Sequence, residues 1–173
     1  AVAVTAFGAL YAAAPLAFLL AIRHGVNSER EPGAYFLLAL LPLALTWICD
    51  TAAYAAGTAW GGPRLAPAVS PRKTWSGAAG GLAGALVFAV LLGLLVLNRA
   101  GWHFGFWHLV GLGLVVGVIG QVGDAAESLL KREAGVKDSS ALIPGHGGVL
   151  DRLDSLYFVI PASAALFRFY GVI

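Results

Sequence analysis

The strongest constraint in this 173-residue chain is a set of long, uninterrupted apolar runs. Crossing about 30 Å of hydrocarbon as a helix takes about 20 apolar residues. Five segments qualify: Ala1 to Ile22, Ala34 to Gly57, Trp75 to Leu97, Gly105 to Val122 and, less cleanly, Leu153 to Ile173. The runs are continuously apolar instead of alternating, which excludes barrel strands, and only helices or closed barrels satisfy the backbone in lipid. The expected fold class is all-α: a polytopic membrane protein with about five transmembrane helices and two polar loops, forming one transmembrane domain over residues 1–173. With 59% hydrophobic and 12% charged residues, the chain lacks the polar surface of a water-soluble globule.

The net charge is only +2, and the eleven Lys and Arg fall in a few short clusters, which argues against a nucleic-acid partner. Cys49 is the single cysteine and lies in an apolar run, so no internal disulfide can form. No basic region precedes the first apolar run, AVAVTAFGALYAAAPLAFLLAI, and this opening reads as a truncation point instead of a signal peptide. In GAAGGLAGAL and GLGLVVG, small residues recur four apart, a spacing that permits close helix packing.

Loops between successive spans alternate sides. One side carries Arg64, Arg72, Lys73, Lys131, Arg132 and Lys137; the other carries Arg23, Arg30 and Arg99. The positive-inside rule makes the first side cytoplasmic, so both long polar loops are expected to face the compartment that holds nucleotides.

The first of these loops contains SPRKTWSG, Ser70 to Gly77. The second opens at Gly123 and reads GDAAESLLKREAGVKDSSALIPGHGGVLDRLD. Its acids and bases recur at helical spacing. Asp124, Ser128 and Lys131 are expected on one face of a helix that continues the fourth span, with Glu127 facing away from Ser128 and Lys131. Asp151, Asp154 and Ser155 are expected on one face at the start of the fifth span. Between them, PGHGG supplies glycines whose N–H groups can approach an anion, and an imidazole, His146, that either lines the anion site or bonds to the turn backbone. These are hard oxygen ligands for a divalent ion together with cations for phosphates. Asp50, near the end of an apolar span, is a functional candidate because a carboxylate there is costly without a cavity or partner; Tyr54 lies one turn on. Nucleotide, metal or a neighbouring helix are all open as the partner of that pair.

The pattern S-x-x-K-R-x-x-x-x-K-D-S-x-x-x-x-P-G-H-G-G-x-x-D-R-x-D, Ser128 to Asp154, resembles the signature of the phosphatidate cytidylyltransferase (CDP-diacylglycerol synthase) family. DTAAYAAG from Asp50 and LAPAVSPRKTWSG from Leu65 resemble that family's two upstream motifs, in the expected order. Ser76 stands where the family usually has Glu, and Ala125 where it usually has Leu. The resemblance implies transfer of the cytidylyl group of CTP to phosphatidate, with release of pyrophosphate, at the cytoplasmic face of a bacterial-type inner membrane. It implies Mg²⁺ held by Asp124, Asp151 and Asp154, with room for a second cation, and adds Lys131 to the catalytic set. Substrate binding is implied for Ser70, Arg72, Lys73, Thr74, Ser128, Arg132, Lys137, Asp138, His146, Gly147, Gly148 and Arg152, with Asp50 and Tyr54 beside them. CTP, phosphatidate and the lipid bilayer are the implied partners; a homodimer is an admissible assembly. Family members carry additional N-terminal spans.

Two rival classes share some of these features. A transporter for phosphate-bearing solutes would show internal repeats with paired broken helices, and DTAAYAAG and GDAAESLL share only an Asp. A CTP-dependent enzyme acting on another lipid would have similar headgroup chemistry.

Overall fold

The computed structural model describes residues 2–25, 32–140 and 147–173. Helix α1 (Val2–His24) is followed by α2 (Pro32–Trp60), a two-stranded antiparallel hairpin of β1 (Arg64–Ala66) and β2 (Ser70–Thr74), and α3 (Trp75–Leu92). The end of α3 continues as a π-helical turn over Gly93–Leu97; α4 (Phe106–Glu133), a single turn α5 (Leu150–Leu153) and α6 (Leu156–Phe169) complete the chain. Each long helix packs on the next, and α6 packs on both α4 and α1, so the helices close into a ring. Its core holds Ile22, Leu38, Leu45, Leu109, Val116, Ile160 and Phe167, all fully buried.

Among the described residues, four helices are long and apolar enough to cross a membrane: Thr5–His24, Gly33–Trp60, Trp75–Leu97 and Phe106–Glu133. The all-α membrane architecture stands, but the expected fifth span differs. Its chain breaks at Asp154–Ser155, leaving α6 with 14 residues, roughly 21 Å of helix. Even so, α6 runs the length of the bundle: Asp154 lies near Asp124 at one end, and the Tyr170 hydroxyl donates to the His108 carbonyl at 3.2 Å at the other.

The small residues seen in the sequence set the helix spacing. A Cβ on Gly80 would stand 2.2 Å from Ala56 Cβ of α2, and one on Gly113 would stand 2.8 Å from the Leu86 Cα of α3. Helices α2, α3 and α4 can therefore approach only because these side chains are missing. That approach brings the hairpin against the end of α4.

The ring has two chemically different ends. At one, the Trp102 indole donates to the Ala34 carbonyl at 3.0 Å and meets the Tyr35 ring edge-on, tying the α3–α4 connection to the start of α2. At the other sit the hairpin, the C-terminal half of α4 and α5, with exposed Trp60 and Trp75 flanking the hairpin where aromatic side chains favour a membrane interface. Both polar loops thus share one end, as the alternation of spans predicts.

Candidate active site

The hairpin was not foreseen in the sequence. Its strands pair Arg64 with Thr74 and Ala66 with Ser70, and it delivers the chain into α3. The Thr74 hydroxyl caps α3 by accepting from the Gly77 N–H at 3.1 Å. Ser76, at the position where Glu is usual in the resembled family, donates to the Gly61 carbonyl and lies 3.0 Å from the Thr74 hydroxyl. Thr74 is therefore buried as a cap, a structural duty beside the substrate-binding one expected of it. Ser70 sits in the strand pairing, off the wall of the adjacent cavity.

That cavity has a volume of about 580 Å³ between α2, the hairpin, α3 and α4. Asp50, Tyr54, Arg64, Arg72, Lys73, Gln121 and Asp124 line it. Asp50 and Tyr54 thus face a common space with Lys73, Arg72 and Asp124, a grouping that the sequence left open. Lys73 reaches across to form an ion pair with Asp124, both side chains little more than a quarter exposed, at 28% and 27%. Arg64, read in the sequence only as a topology signal, donates to the Arg72 carbonyl at 3.2 Å and stands on the same wall. Gln121 carries no motif signal; its amide donates to the Ala78 and Gly117 carbonyls and joins α3 to α4 beside the cavity.

Asp124 and Ser128 share a face of α4, as expected, with the Ser128 hydroxyl 3.3 Å from Asp124 Oδ1. Lys131 lies a further turn along and turns to the signature loop, where its ammonium donates to Asp151 Oδ1 at 2.7 Å. The other oxygen, Asp151 Oδ2, accepts from the Ser139 N–H and hydroxyl at 2.8 and 2.7 Å and from the Gly148 N–H at 2.8 Å. One carboxylate thereby ties the outgoing loop at Ser139 to its return at Gly148. Gly147 permits this, with φ of +78° and no room for a Cβ, which would stand 2.9 Å from Asp151 Oδ2. Burial alone would raise the Asp151 carboxyl, but the bonds from Lys131, Ser139 and Gly148 outweigh it and hold the group well below the usual carboxylate range.

Three expectations need correction here. Asp151 and Asp154 do not share a continuous helix face, because α5 ends after one turn and the Asp154 carboxylate caps its neighbour, accepting from the Ser155 N–H at 2.6 Å. Asp124 and Asp151 are met by different cations, Lys73 and Lys131, instead of converging with each other. Glu127 does not face away from Lys131: it is buried in the bundle with its Oε1 3.3 Å from the Lys131 ammonium. Of the other candidates, Arg132 donates to the Val136 carbonyl at 3.2 Å, and Arg132, Lys137, Asp138 and Arg152 are exposed. His146 lies outside the described residues.

Among the described residues no three His, Cys, Asp or Glu side chains form a ready-made metal cage. Instead Asp50, Asp124 and Asp154 lie close enough to repel one another, against the single ion pair from Lys73. Burial and then the charge of Asp124 push the Asp154 carboxyl upward. A concentration of hard oxygen donors short of counter-charge suits Mg²⁺, which takes one or two carboxylates and completes its shell with water and phosphate oxygens.

Residues 1–170 match the model of the cytidylyltransferase family. The chain belongs to that family. The resemblance seen between Ser128 and Asp154 is thereby borne out. The chain is 46% identical over 143 residues to the phosphatidate cytidylyltransferase of Brucella suis biovar 1 (strain 1330), an alignment covering 83% of this chain and 49% of that one. It is 44% identical over 131 residues to the phosphatidate cytidylyltransferase of Haemophilus influenzae, covering 76% and 46%. With the phosphatidate cytidylyltransferase of Staphylococcus aureus (strain COL) it shares 42% over 132 residues, covering 76% and 48%. The chain spans about half the length of the curated relatives it matches. In this cytidylyltransferase-family chain the described parts of all three motifs, from Asp50, from Leu65 and from Ser128, gather at one end of the helix ring.

Proposed function

We propose that this chain carries the catalytic end of an enzyme that transfers the cytidylyl group of CTP to phosphatidate, giving CDP-diacylglycerol and pyrophosphate. The observation that supports it best is the cavity where Arg64, Arg72 and Lys73 face Asp50 and Asp124, cations for phosphates beside carboxylates for their counter-ion. The names of the relatives supply the substrates; the cavity supplies complementary chemistry.

In this reading an oxygen of the lipid phosphate attacks the α-phosphorus of CTP, the bond to the bridging β-oxygen breaks, and pyrophosphate leaves. Both reactants are anions, so positioning and charge neutralisation dominate, and an ionised phosphate needs no strong general base. Asp124 and Asp154, with Asp50 beside them, would hold Mg²⁺, which when bound supplies Lewis-acid stabilisation of phosphate charge, while Asp151, both its oxygens already bonded, holds the loop. Arg64 and Arg72 present guanidinium groups to phosphate oxygens from the rigid hairpin. Lys73 stands on the cavity wall beside Asp124, and Lys131 stands beside Asp151 at the signature loop; in this reading either ammonium exchanges a carboxylate for a phosphate oxygen. Arg132, Lys137, Arg152, Ser128, Gly148 and His146 complete the substrate-binding set on the loop side, with Asp50 and Tyr54 on α2.

The end bearing both loops faces the cytoplasm in this reading, following the six-to-three excess of Lys and Arg between the two sides of the spans. An impermeant thiol reagent applied to intact cells should label Arg99→Cys and spare Val136→Cys, both exposed positions. The reverse pattern rejects that orientation. Function is tested by incubating the protein in vesicles with labelled CTP, Mg²⁺ and phosphatidate. Lipid-dependent pyrophosphate and a CDP-lipid are expected, and exchange of pyrophosphate into CTP without lipid is not, because the lipid phosphate can attack unaided and no nucleophile paired with a base is found among the described residues. Absence of lipid-dependent pyrophosphate release rejects the assignment.

A further inference from the structure

Glu127 is the only charged residue among the described ones that is fully buried, at 1% exposure, and the reaction outlined above gives it no part. Neither of its oxygens has a hydrogen-bond partner, and the Tyr11 hydroxyl from α1 is likewise buried and unbonded. The Tyr11 and Tyr157 rings meet at a tilt, their centroids 5.4 Å apart, and both hydroxyls lie within electrostatic reach of the Glu127 carboxylate. A buried carboxylate is retained only where something answers its charge. Here the answer is the Lys131 ammonium, 3.3 Å from Oε1 and one helical turn along the same helix.

Lys131 is thus held from two sides by different kinds of element. Asp151 belongs to the loop and to a single-turn helix; Glu127 belongs to the middle of a packed helix ring. Contact with Asp151 can be given up while contact with Glu127 stays, because residues four apart on an α-helix remain neighbours. We infer that Glu127 is a positioning residue, which keeps the Lys131 ammonium at the edge of the site so that it can trade the Asp151 carboxylate for a phosphate oxygen of the nucleotide. This rests on the CTP-dependent reading above.

The test is a double-mutant cycle on the protein in vesicles, using Glu127→Gln, Lys131→Met and the pair. Two quantities are read: the affinity for labelled CTP with Mg²⁺, and the thermal midpoint. Glu127→Gln should weaken CTP binding about tenfold, the scale of one charge-assisted contact, and raise KM for CTP far more than it lowers kcat. Lys131→Met should weaken binding at least as much, and adding Glu127→Gln to it should change binding less than about twofold, since Glu127 acts only through Lys131. Lys131→Met alone leaves a bare buried carboxylate, so the double variant should melt higher than Lys131→Met. Unchanged CTP affinity in Glu127→Gln, or losses that multiply, overturns the inference. If the unsubstituted protein binds no CTP, the functional reading has failed; the thermal cycle then decides the pair, which falls if the double variant is no more stable than Lys131→Met.

Discussion

Lys73 meets Asp124 on the wall of an open cavity, whereas Lys131 meets Asp151 beneath a loop and against buried Glu127. The residue types are the same, the surroundings are not. The first pair is more than a quarter exposed on both sides and spans two elements, the hairpin and α4. In the second, Lys131 and Asp151 are 14% and 6% exposed, and the carboxylate accepts three further hydrogen bonds. Exposed ion pairs contribute roughly 0–1 kcal/mol, while removing one partner of a buried pair costs about 3–5 kcal/mol. The cavity pair therefore yields to a ligand at little cost, whereas the loop pair yields only because Glu127 still answers the ammonium while Asp151 keeps its bonds to Ser139 and Gly148. Identical chemistry is cheap to rearrange in one place and costly in the other because of burial.

The contrast is sharpened most strongly by removing its carboxylates. Asp124→Asn should leave the thermal midpoint almost unchanged and reduce turnover on the order of a hundredfold, the effect of losing one electrostatic stabiliser. Asp151→Asn should lose turnover and also destabilise the loop, seen as faster tryptic cleavage after Lys137. If both variants behave alike in stability, the distinction between the two pairs collapses.

Salt offers a smaller and independent separation. Raising ionic strength from about 0.1 to 1 M shortens the screening length from roughly 10 to 3 Å. The stability loss in Lys73→Met should shrink over that range, and the loss in Lys131→Met should persist.

Acidity distinguishes the carboxylates three residues apart. The Asp151 carboxyl is lowered in the fold, so it contributes stability that is complete at neutral pH and is lost only as pH falls below the ordinary carboxylate range. Asp154 is raised, so its ionised form opposes folding at neutral pH, and that penalty is relieved as pH falls through its raised pKa. Asp154→Asn should therefore raise the thermal midpoint by a few degrees at pH 7 and flatten its dependence on mild acid. A lower midpoint would mean that its bond to Ser155 outweighs the repulsion. The smallest effect is expected for Tyr11→Phe, within about 0.5 kcal/mol of the parent, because the hydroxyl it removes has no partner.

The spans were legible because hydropathy over 20 or more residues leaves one backbone solution in lipid. Helix packing was legible in its small residues, with Gly80 and Gly113 at the contacts. The hairpin was not, since eleven residues from Arg64 to Thr74 with two prolines and three cations show no alternation to read. The break at Asp154 was hidden as well, because VLDRLDSLYF is helix-compatible throughout. Motif membership found Asp124, Lys73 and Lys131 without revealing their partners. Glu127 was misplaced for a related reason: a helical wheel shows which residues share a face, but only the positions of α1 and α6 decide which face is interior.

The shortness of α6 bears on where a membrane surface meets this end of the ring. Helix α6, roughly 21 Å long, lies against α4, whose 28 residues run on past Asp124 to Glu133. Bilayers answer mismatch by thinning locally, at a cost of fractions of a kcal/mol per Å. A bilayer thinned to match α6 would bring its headgroup layer closer to Asp154 on that flank, at the end of the ring where the carboxylates gather.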